Sequence, residues 1–487
     1  MRPRALALAL LLAAGCRLPE PLPAVVTGPL SRGDGPCLRA ALFLDINGGA
    51  AAPAGPERRV DLVTALAVAG IENPTIALAQ EAVTASQAIH LQAQALLLPS
   101  LQAGASFNWH EGALESAQGI IRDVQRQSAY VGGGAVAVGA GTVGQPAVRL
   151  VAPLGDAFFE PRATRLLVEG RQFDAAAVRN RILLDVAAAY LRLIGAEARL
   201  RAIRESEADF LRIAELTRNF AKAGQGREAD AQRALSELEL LHAAAVRLEE
   251  DEAVAAADLA RLLSADAAVR LRGPGGPVLL LQLVDPHVGL EELVQTAVAN
   301  RPEIAARSAD VAALEARLRK ELVRPLLPTV SVGFSAGGFG GGGGQADSGF
   351  GHFGGRTDFD VSAVWTLQGL GFGNLALQNR ARALVGEAGA ERERVIDAVR
   401  SEVVEAHALV TTRLREVDIA RRRAETANRA YQQDLARAKN LEGRPIEVLN
   451  SANLLCAARQ DYLGALIGYD EAELRLFVAL GQPPPTP

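Results

Sequence analysis

The sequence predicts a mainly α chain with a smaller β part, arranged as two tandem repeats that each couple long helices to two β-strands. Three observations predict it. One unit is written twice: Asn73-Pro74-Thr75-Ile76 opens an alanine-rich helix running to Leu97-Leu98-Pro99 and then into alternation from Leu101 to Trp109. Its second copy starts at Arg301-Pro302-Glu303-Ile304, runs to Leu326-Leu327-Pro328 and continues into Val330 to Ala336. Ala and Leu carry the apolar content, with 14 Phe, 5 Tyr, 2 Trp and 1 Met in 487 residues, the profile of long helices packed through small side chains rather than of a large enzyme core. After the first sixteen residues no segment offers about 18 uninterrupted apolar residues, so a membrane crossing has to use strands. Duplicated units too exposed to stand alone build tubes or arrays.

The chain begins with Arg2 and Arg4 ahead of an apolar run from Ala5 to Ala14, the plan of a secretory signal peptide over residues 1–15. Leu12-Ala13-Ala14-Gly15-Cys16 resembles a bacterial lipobox, in which Cys16 becomes the lipid-bearing first residue. The usual Leu stands one place early, and a plain signal peptide cut near Gly15 is the alternative. Arg17 lacks the acidic character that retains lipoproteins at the inner membrane, so outer-membrane sorting is expected. Residues 16–59, rich in Pro and Gly, read as a lipid-anchored linker.

The first repeat spans residues 60–272. Helical patterning starts near Val60, and Arg162 to about Lys222 is nearly proline-free, with Leu166, Phe173, Val178, Ile182, Val186, Tyr190 and Leu193 at three- and four-residue steps. Gly224-Gln225-Gly226 breaks that helix, and Arg227 to about Ser264 returns antiparallel to it. Gly273-Pro274-Gly275-Gly276-Pro277 opens a linker over residues 273–288. The second repeat, residues 289–480, follows the same plan: a helix from Gly289 to Arg324, a long helix from Asn374 to Asn440, a break at Gly443 and a return helix from Pro445 to Leu480. Residues 481–487 form a tail.

Strands are expected at about 100–110, 131–153, 328–337 and 357–368, with Glu111–Tyr130 and Gly337–Gly355 as loops facing the exterior. Leu101, Ala103, Ala105, Phe107 and Trp109 alternate with polar or small residues, as do Phe359, Val361, Ala363, Trp365 and Leu367. Ribbons of about ten residues, apolar outward, fit a transmembrane barrel, with Trp109 and Trp365 as interfacial anchors. The alternative is a one-sided sheet in a soluble body. Four ribbons cannot close a barrel, and an open edge in lipid leaves backbone groups unpaired at several kcal/mol each, so other subunits must complete it. Three copies supply twelve strands.

Net charge is −5 and Lys and Arg are spread along helical faces, which speaks against a nucleic-acid partner. Cys16, Cys37 and Cys456 are too few and scattered for a disulfide framework or zinc site. Gly369-Leu370-Gly371-Phe372-Gly373 has Asn374 where a dinucleotide loop needs its third glycine, and reads as a strand-to-helix joint. Gly340–Gly344 lacks the Lys and Ser/Thr of a phosphate loop. The six histidines form no ligand pattern, and Cys456 reads as a packing residue. No catalytic constellation and no cofactor site emerges.

In order and duplication these features resemble the TolC-type outer-membrane efflux proteins, over roughly Val60 to Leu480. The resemblance implies a homotrimer: a twelve-stranded outer-membrane barrel continued by an α-helical tunnel through the periplasm. It implies docking by a periplasmic adaptor and an inner-membrane transporter at the helix tips, Gly224, Gly226 and Arg227 in the first repeat and Gly443 and Arg444 in the second. The family's paired acidic gate residues fall on Glu447 and Asn450, with Asp230 as the first-repeat candidate, so only one of the usual two is acidic here. Three Glu447 carboxylates in a ring would draw cations; an exposed Glu favoured by the helix N-terminal dipole is the competing reading. A periplasmic coiled-coil adaptor or scaffold lipoprotein is the rival from another class.

Overall fold

The computed structural model describes residues 57–101, 103–115, 118–133, 148–266, 269–342, 351–440 and 442–484. The leader, Cys16, Cys37 and the linker to residue 56 lie outside the described residues, as does tip residue Leu441. The first repeat comprises β1 (Glu57–Arg59), α1 (Leu62–Glu72), α2 (Pro74–Gln94), β2 (Ser100–Leu101), β3 (Ala103–Glu115), β4 (Ile121–Gly133), β5 (Val148–Pro153), α3 (Leu154–Lys222), α4 (Glu228–Leu262) and β6 (Arg270–Arg272). The second comprises α5 (Leu290–Asn300), α6 (Pro302–Val323), β7 (Thr329–Gly342), β8 (Gly351–Val364), α7 (Phe372–Lys439) and α8 (Pro445–Ala479).

The repeat is visible in how the helices end. Asn73 caps α2, its Oδ1 accepting from Thr75 N at 2.9 Å, while its Nδ2 donates to Leu262 O at 2.9 Å and so also satisfies the end of α4. Arg301 takes the second part of that role, donating to Ala479 O at the end of α8 at 3.4 Å. The single helix expected from Gly289 to Arg324 is therefore two: Arg301 stands extended (φ −67°, ψ 121°) because Pro302 drives the preceding residue out of the helical region. Both return helices close with a left-handed residue, Ser264 (φ 52°) and Gly481 (φ 85°), at corresponding positions.

At 69 residues, α3 is about 100 Å long, and it starts at Leu154 rather than Arg162, with Pro161 inside it. It packs between α4 and α8: Phe210 and Ile213 meet Leu238 and Leu241 on one side and Leu449 and Leu455 on the other. Close approach depends on small residues. A Cβ on Gly195 would stand 2.9 Å from Ile467 Cγ1. Nearer the strands, α6 lies against α3 through a buried ionic cluster, in which Lys320 pairs with Glu160 and with Asp156 at 3.2 Å, and Arg324 reaches Asp156 at 3.3 Å. α7 buries Ile396, Val399 and Val403 against Ile304 and Leu476.

The strands form an antiparallel ribbon whose centre is β7. Along one edge it pairs with β8, Thr329 opposite Val364 and Phe334 opposite Phe359. Its other edge is shared: Thr329–Phe334 pair with β5 and Ala336–Gly342 with β4, so β4 and β5 are collinear parts of one descending ribbon. β2 and β3 form the ascending ribbon beside them. Among the described residues these make four ribbons, but their limits differ from the sequence reading. The expected loop Glu111–Tyr130 is mostly ladder, with Glu115 opposite Ile121, and the strand expected at 131–153 begins at Ile121, residues 134–147 lying outside the described residues. The third ribbon runs on to Gly342, and the fourth covers Gly351–Val364 rather than 357–368, which leaves Trp365 just past its end. A separate parallel pair joins β1 to β6, so the linker expected over 16–59 is already paired at Glu57.

Candidate functional site

The two helix tips are built alike. After α3, Gly224 adopts φ 72°, and the N–H groups of Gln225 and Gly226 both reach back to Phe220 O at 3.0 Å. Gly226 presses against that last turn, since a Cβ there would meet Phe220 C at 3.3 Å. Gly443 does the same against Arg437, whose Cβ would be 3.3 Å away. Arg227 and Arg444 follow in extended conformation as the N-cap residues of α4 and α8. Both arginines are exposed and stand at the extremity of a hairpin.

One turn into the return helices the copies diverge. Glu447 and Asn450 are exposed on α8, and among the described residues Glu447 has no ion-pair partner. Asp230, its counterpart on α4, instead pairs with Arg233 at 3.5 Å. Arg233 stands where α8 has Asn450, so the first copy presents a locally neutralised pair rather than a free acid. The sequence reading grouped Asp230 with Glu447; in the fold they differ in that Asp230 has an arginine beside it on its own helix.

At the other end, Phe107, Trp109, Phe334, Phe359 and Val361 stand exposed on the ribbon, Trp109 at 60 %. From Leu101 to Trp109 is about 27 Å of strand, close to the height of a barrel's apolar band. Beyond Trp109 the same row turns polar, with Glu111 opposite Gln125 and Ala113 opposite Asp123. Trp365 lies at the opposite limit, where its Nε1–H donates to Leu326 O at 3.3 Å. The joint that follows carries Gly369, Leu370 and Gly371 at positive φ, and buried Asn374 accepts from Gln368 N at 2.8 Å to close it.

A third feature was missed by the sequence reading. Residues 273–288, expected as a simple linker, form a strap tied to the helices by buried carboxylates. Gly273 N donates to Glu197 at 2.9 Å, Leu281 N to Asp470 at 2.8 Å, and Leu283 N and Val284 N to Glu473 at 2.8 and 2.7 Å. Asp470 and Glu473 are each 1 % exposed. Burial, aided by the Glu473 charge and opposed by the Leu281 N–H, pushes the Asp470 carboxyl up to about 7, and burial with these two acids pushes the Tyr469 hydroxyl up to about 12. The available signal was weak, since Asp470 and Glu473 stand at a three-residue step with the charged Glu471 and Arg475 beside them. Cys456 is buried on the same helix, and burial raises its thiol pKa. Among the described residues no group of His, Cys, Asp and Glu is placed to hold a metal ion, and no single helix is long and apolar enough to cross a membrane.

Residues 293–482 match the family model described as outer membrane efflux protein. No curated protein matches the chain by sequence. Among solved structures the chain is similar to a membrane protein from Pseudomonas aeruginosa, at 22 % identity and a TM-score of 0.68 over 90 % of this chain and 99 % of that one. It is similar to the outer-membrane channel OprN, at 18 % identity and 0.66 over 86 % and 89 %. The outer membrane protein VceC from Vibrio cholerae matches at 16 % and 0.65 over 86 % and 96 %. Residues 293–482 are thus an outer membrane efflux protein domain, and the chain around them has the fold of outer-membrane channels, as its resemblance to the TolC-type efflux proteins implied.

Proposed function

We propose that this chain is the exit duct of a tripartite efflux or type I secretion assembly, a homotrimer that conducts substrates passively from the periplasm to the exterior. The observation that carries the reading is the union, in one chain, of an outwardly apolar ribbon sheet with helices about 100 Å long. Among the described residues β8 and the β2/β3 ribbon pair on one side only, and in lipid such edges demand partners. Two further copies supply them and close twelve ribbons. Trp109 and Trp365 then bound the part immersed in outer-membrane lipid, and Cys16 carries the lipid anchor.

In this reading Gly224, Gly226, Arg227, Gly443 and Arg444 dock a periplasmic adaptor, an inner-membrane transporter supplies the energy, and Glu447 with Asn450 lines the periplasmic mouth. No cofactor is involved, and the chain is a conduit rather than an enzyme. Detergent extraction of membranes, mass measurement of the purified particle and planar-bilayer recording test it. A trimer that forms ion-conducting pores supports the duct. A water-soluble monomer released by salt supports the scaffold lipoprotein instead.

A further inference from the structure

Beneath the strap lies a cavity of about 180 Å³, walled mainly by apolar side chains such as Ile194 and Val278 and lined by two acids. Asp470 is 1 % exposed and Glu197 8 %. Each acid commits one oxygen to the strap, Asp470 Oδ1 accepting from Leu281 N and Glu197 Oε1 from Gly273 N. The second oxygen of Asp470 is buried and has no hydrogen-bond partner among the described residues. That of Glu197 fits because residue 273 has no side chain, since a Cβ there would stand 2.8 Å from it. Arg201, the cationic side chain in the lining, is exposed and donates to Gly276 O at 3.0 Å, forming no ion pair with either acid among the described residues. Pro274 and Pro277 carry no N–H, so this part of the strap has more acceptors than donors.

From this geometry we infer that the cavity under the strap binds a small organic ammonium ion, its N–H donors on Asp470 and Glu197 and its apolar body against Ile194 and Val278. The inference goes beyond the duct reading and does not rest on it. A cavity of this volume holds a body of about six heavy atoms, the size of a benzene ring. A buried oxygen without a partner carries a desolvation cost that a donor removes, and a charged donor makes the stronger bond. A metal ion fits less well, because among the described residues no three of His, Cys, Asp and Glu converge and the walls are apolar. The ionisable groups around Asp470 are Glu473 and Tyr469 on its own helix, Glu197, Arg201 and Tyr190 on α3, and Arg413 on α7, which lies against Gly468. Residues 273–284 of the strap carry none. With its carboxyl at about 7, Asp470 holds a proton at pH 6 and releases it to solvent as the ammonium binds, so that a carboxylate faces the cation. Affinity therefore falls about tenfold per pH unit below about 7 and levels off above it.

The test is calorimetric titration of the full-length, detergent-purified protein with cyclopentylamine at pH 8 and pH 6, with cyclopentanol as the uncharged isostere. The expected result is saturable binding of one amine per chain at pH 8, roughly tenfold weaker at pH 6, and no binding of the alcohol. Titrations at pH 6 in buffers of different ionisation heat should show about one proton released per amine bound. Asp470→Asn, with helical dichroism unchanged, should weaken amine binding at pH 8 at least tenfold. Absence of saturable binding at pH 8, equal binding of the alcohol, or an affinity unchanged in Asp470→Asn overturns the site. Should Asp470→Asn fail to fold, the proton release and the alcohol control on the wild-type chain decide: binding without proton release at pH 6 also overturns it.

Discussion

Replacing Asp470 with Asn should remove most of a pH dependence that wild-type stability carries. The Asp470 carboxyl moves from an ordinary 3.8 in the unfolded chain to about 7 in the fold, because burial disfavours its charge. The folded state therefore holds this proton more tightly than the unfolded state. Its contribution to stability is complete below 3.8 and is lost as pH rises towards about 7. At 1.36 kcal/mol per pH unit the full swing is about 4 kcal/mol, of which roughly 2 to 3 kcal/mol falls between pH 5 and pH 8. The amide introduced by Asp470→Asn keeps an oxygen to accept from Leu281 N and has no charge to desolvate, so the strap stays tied at every pH. Chemical denaturation of the detergent-purified protein at pH 5 and pH 8, followed by helical dichroism, reads the difference. Wild type should lose stability over that interval and Asp470→Asn should lose less, by the amount above per chain. Equal slopes for the two proteins would show that Asp470 is ionised throughout and refute the reasoning.

Three further outcomes are expected. Lys320→Met removes the buried cation shared by Glu160 and Asp156, leaving Arg317 and Arg324 as their remaining partners, and should cost about 1 to 3 kcal/mol in the same denaturation assay; no measurable loss would mean that the two arginines suffice. Gly481→Ala adds a methyl 2.7 Å from Asn300 C at a φ of 85°, and should destabilise the chain by roughly 2 to 3 kcal/mol, whereas the left-handed but exposed Ser264, which already carries a Cβ, should accept Ala for less. Glu447→Ala should weaken cation preference in planar-bilayer recordings taken as reversal potentials under a salt gradient, and an unchanged potential removes Glu447 from the mouth.

How much of this was legible in the sequence depends on how local the signal is. Helix limits at Pro74, Gly226 and Gly443 were readable because caps and breakers act over a few residues, and Pro302 carried the same signal although the helix was drawn through it from Gly289. The lower half of each ribbon was readable too, since Phe107 and Trp109, or Phe359 and Val361, alternate with polar residues. β4 was not. Its Asp123, Gln125 and Gln127 are polar on the row that carries apolar residues lower down, so a strand looked like a loop. The strap was hidden for another reason: Asp470 and Leu281 lie 189 positions apart, and only the fold brings a carboxylate to that N–H. The ion pair of Asp230 with Arg233 one turn further on was within reach of the sequence as well, since an i,i+3 spacing is local.

Glu197 ties the strap near the middle of α3, which runs without a break from the last residue of a strand to a tip. That makes the strap a fulcrum and the distal part of the helix, from Glu197 to Lys222, a lever arm of about 38 Å. Pivoting by roughly 10° about the tie would carry the tip some 6 to 7 Å, with little displacement at the pivot itself. A modest torque at the far end of the hairpin is therefore enough to displace a tip, and the stiffness of the carboxylate ties sets how much torque is needed.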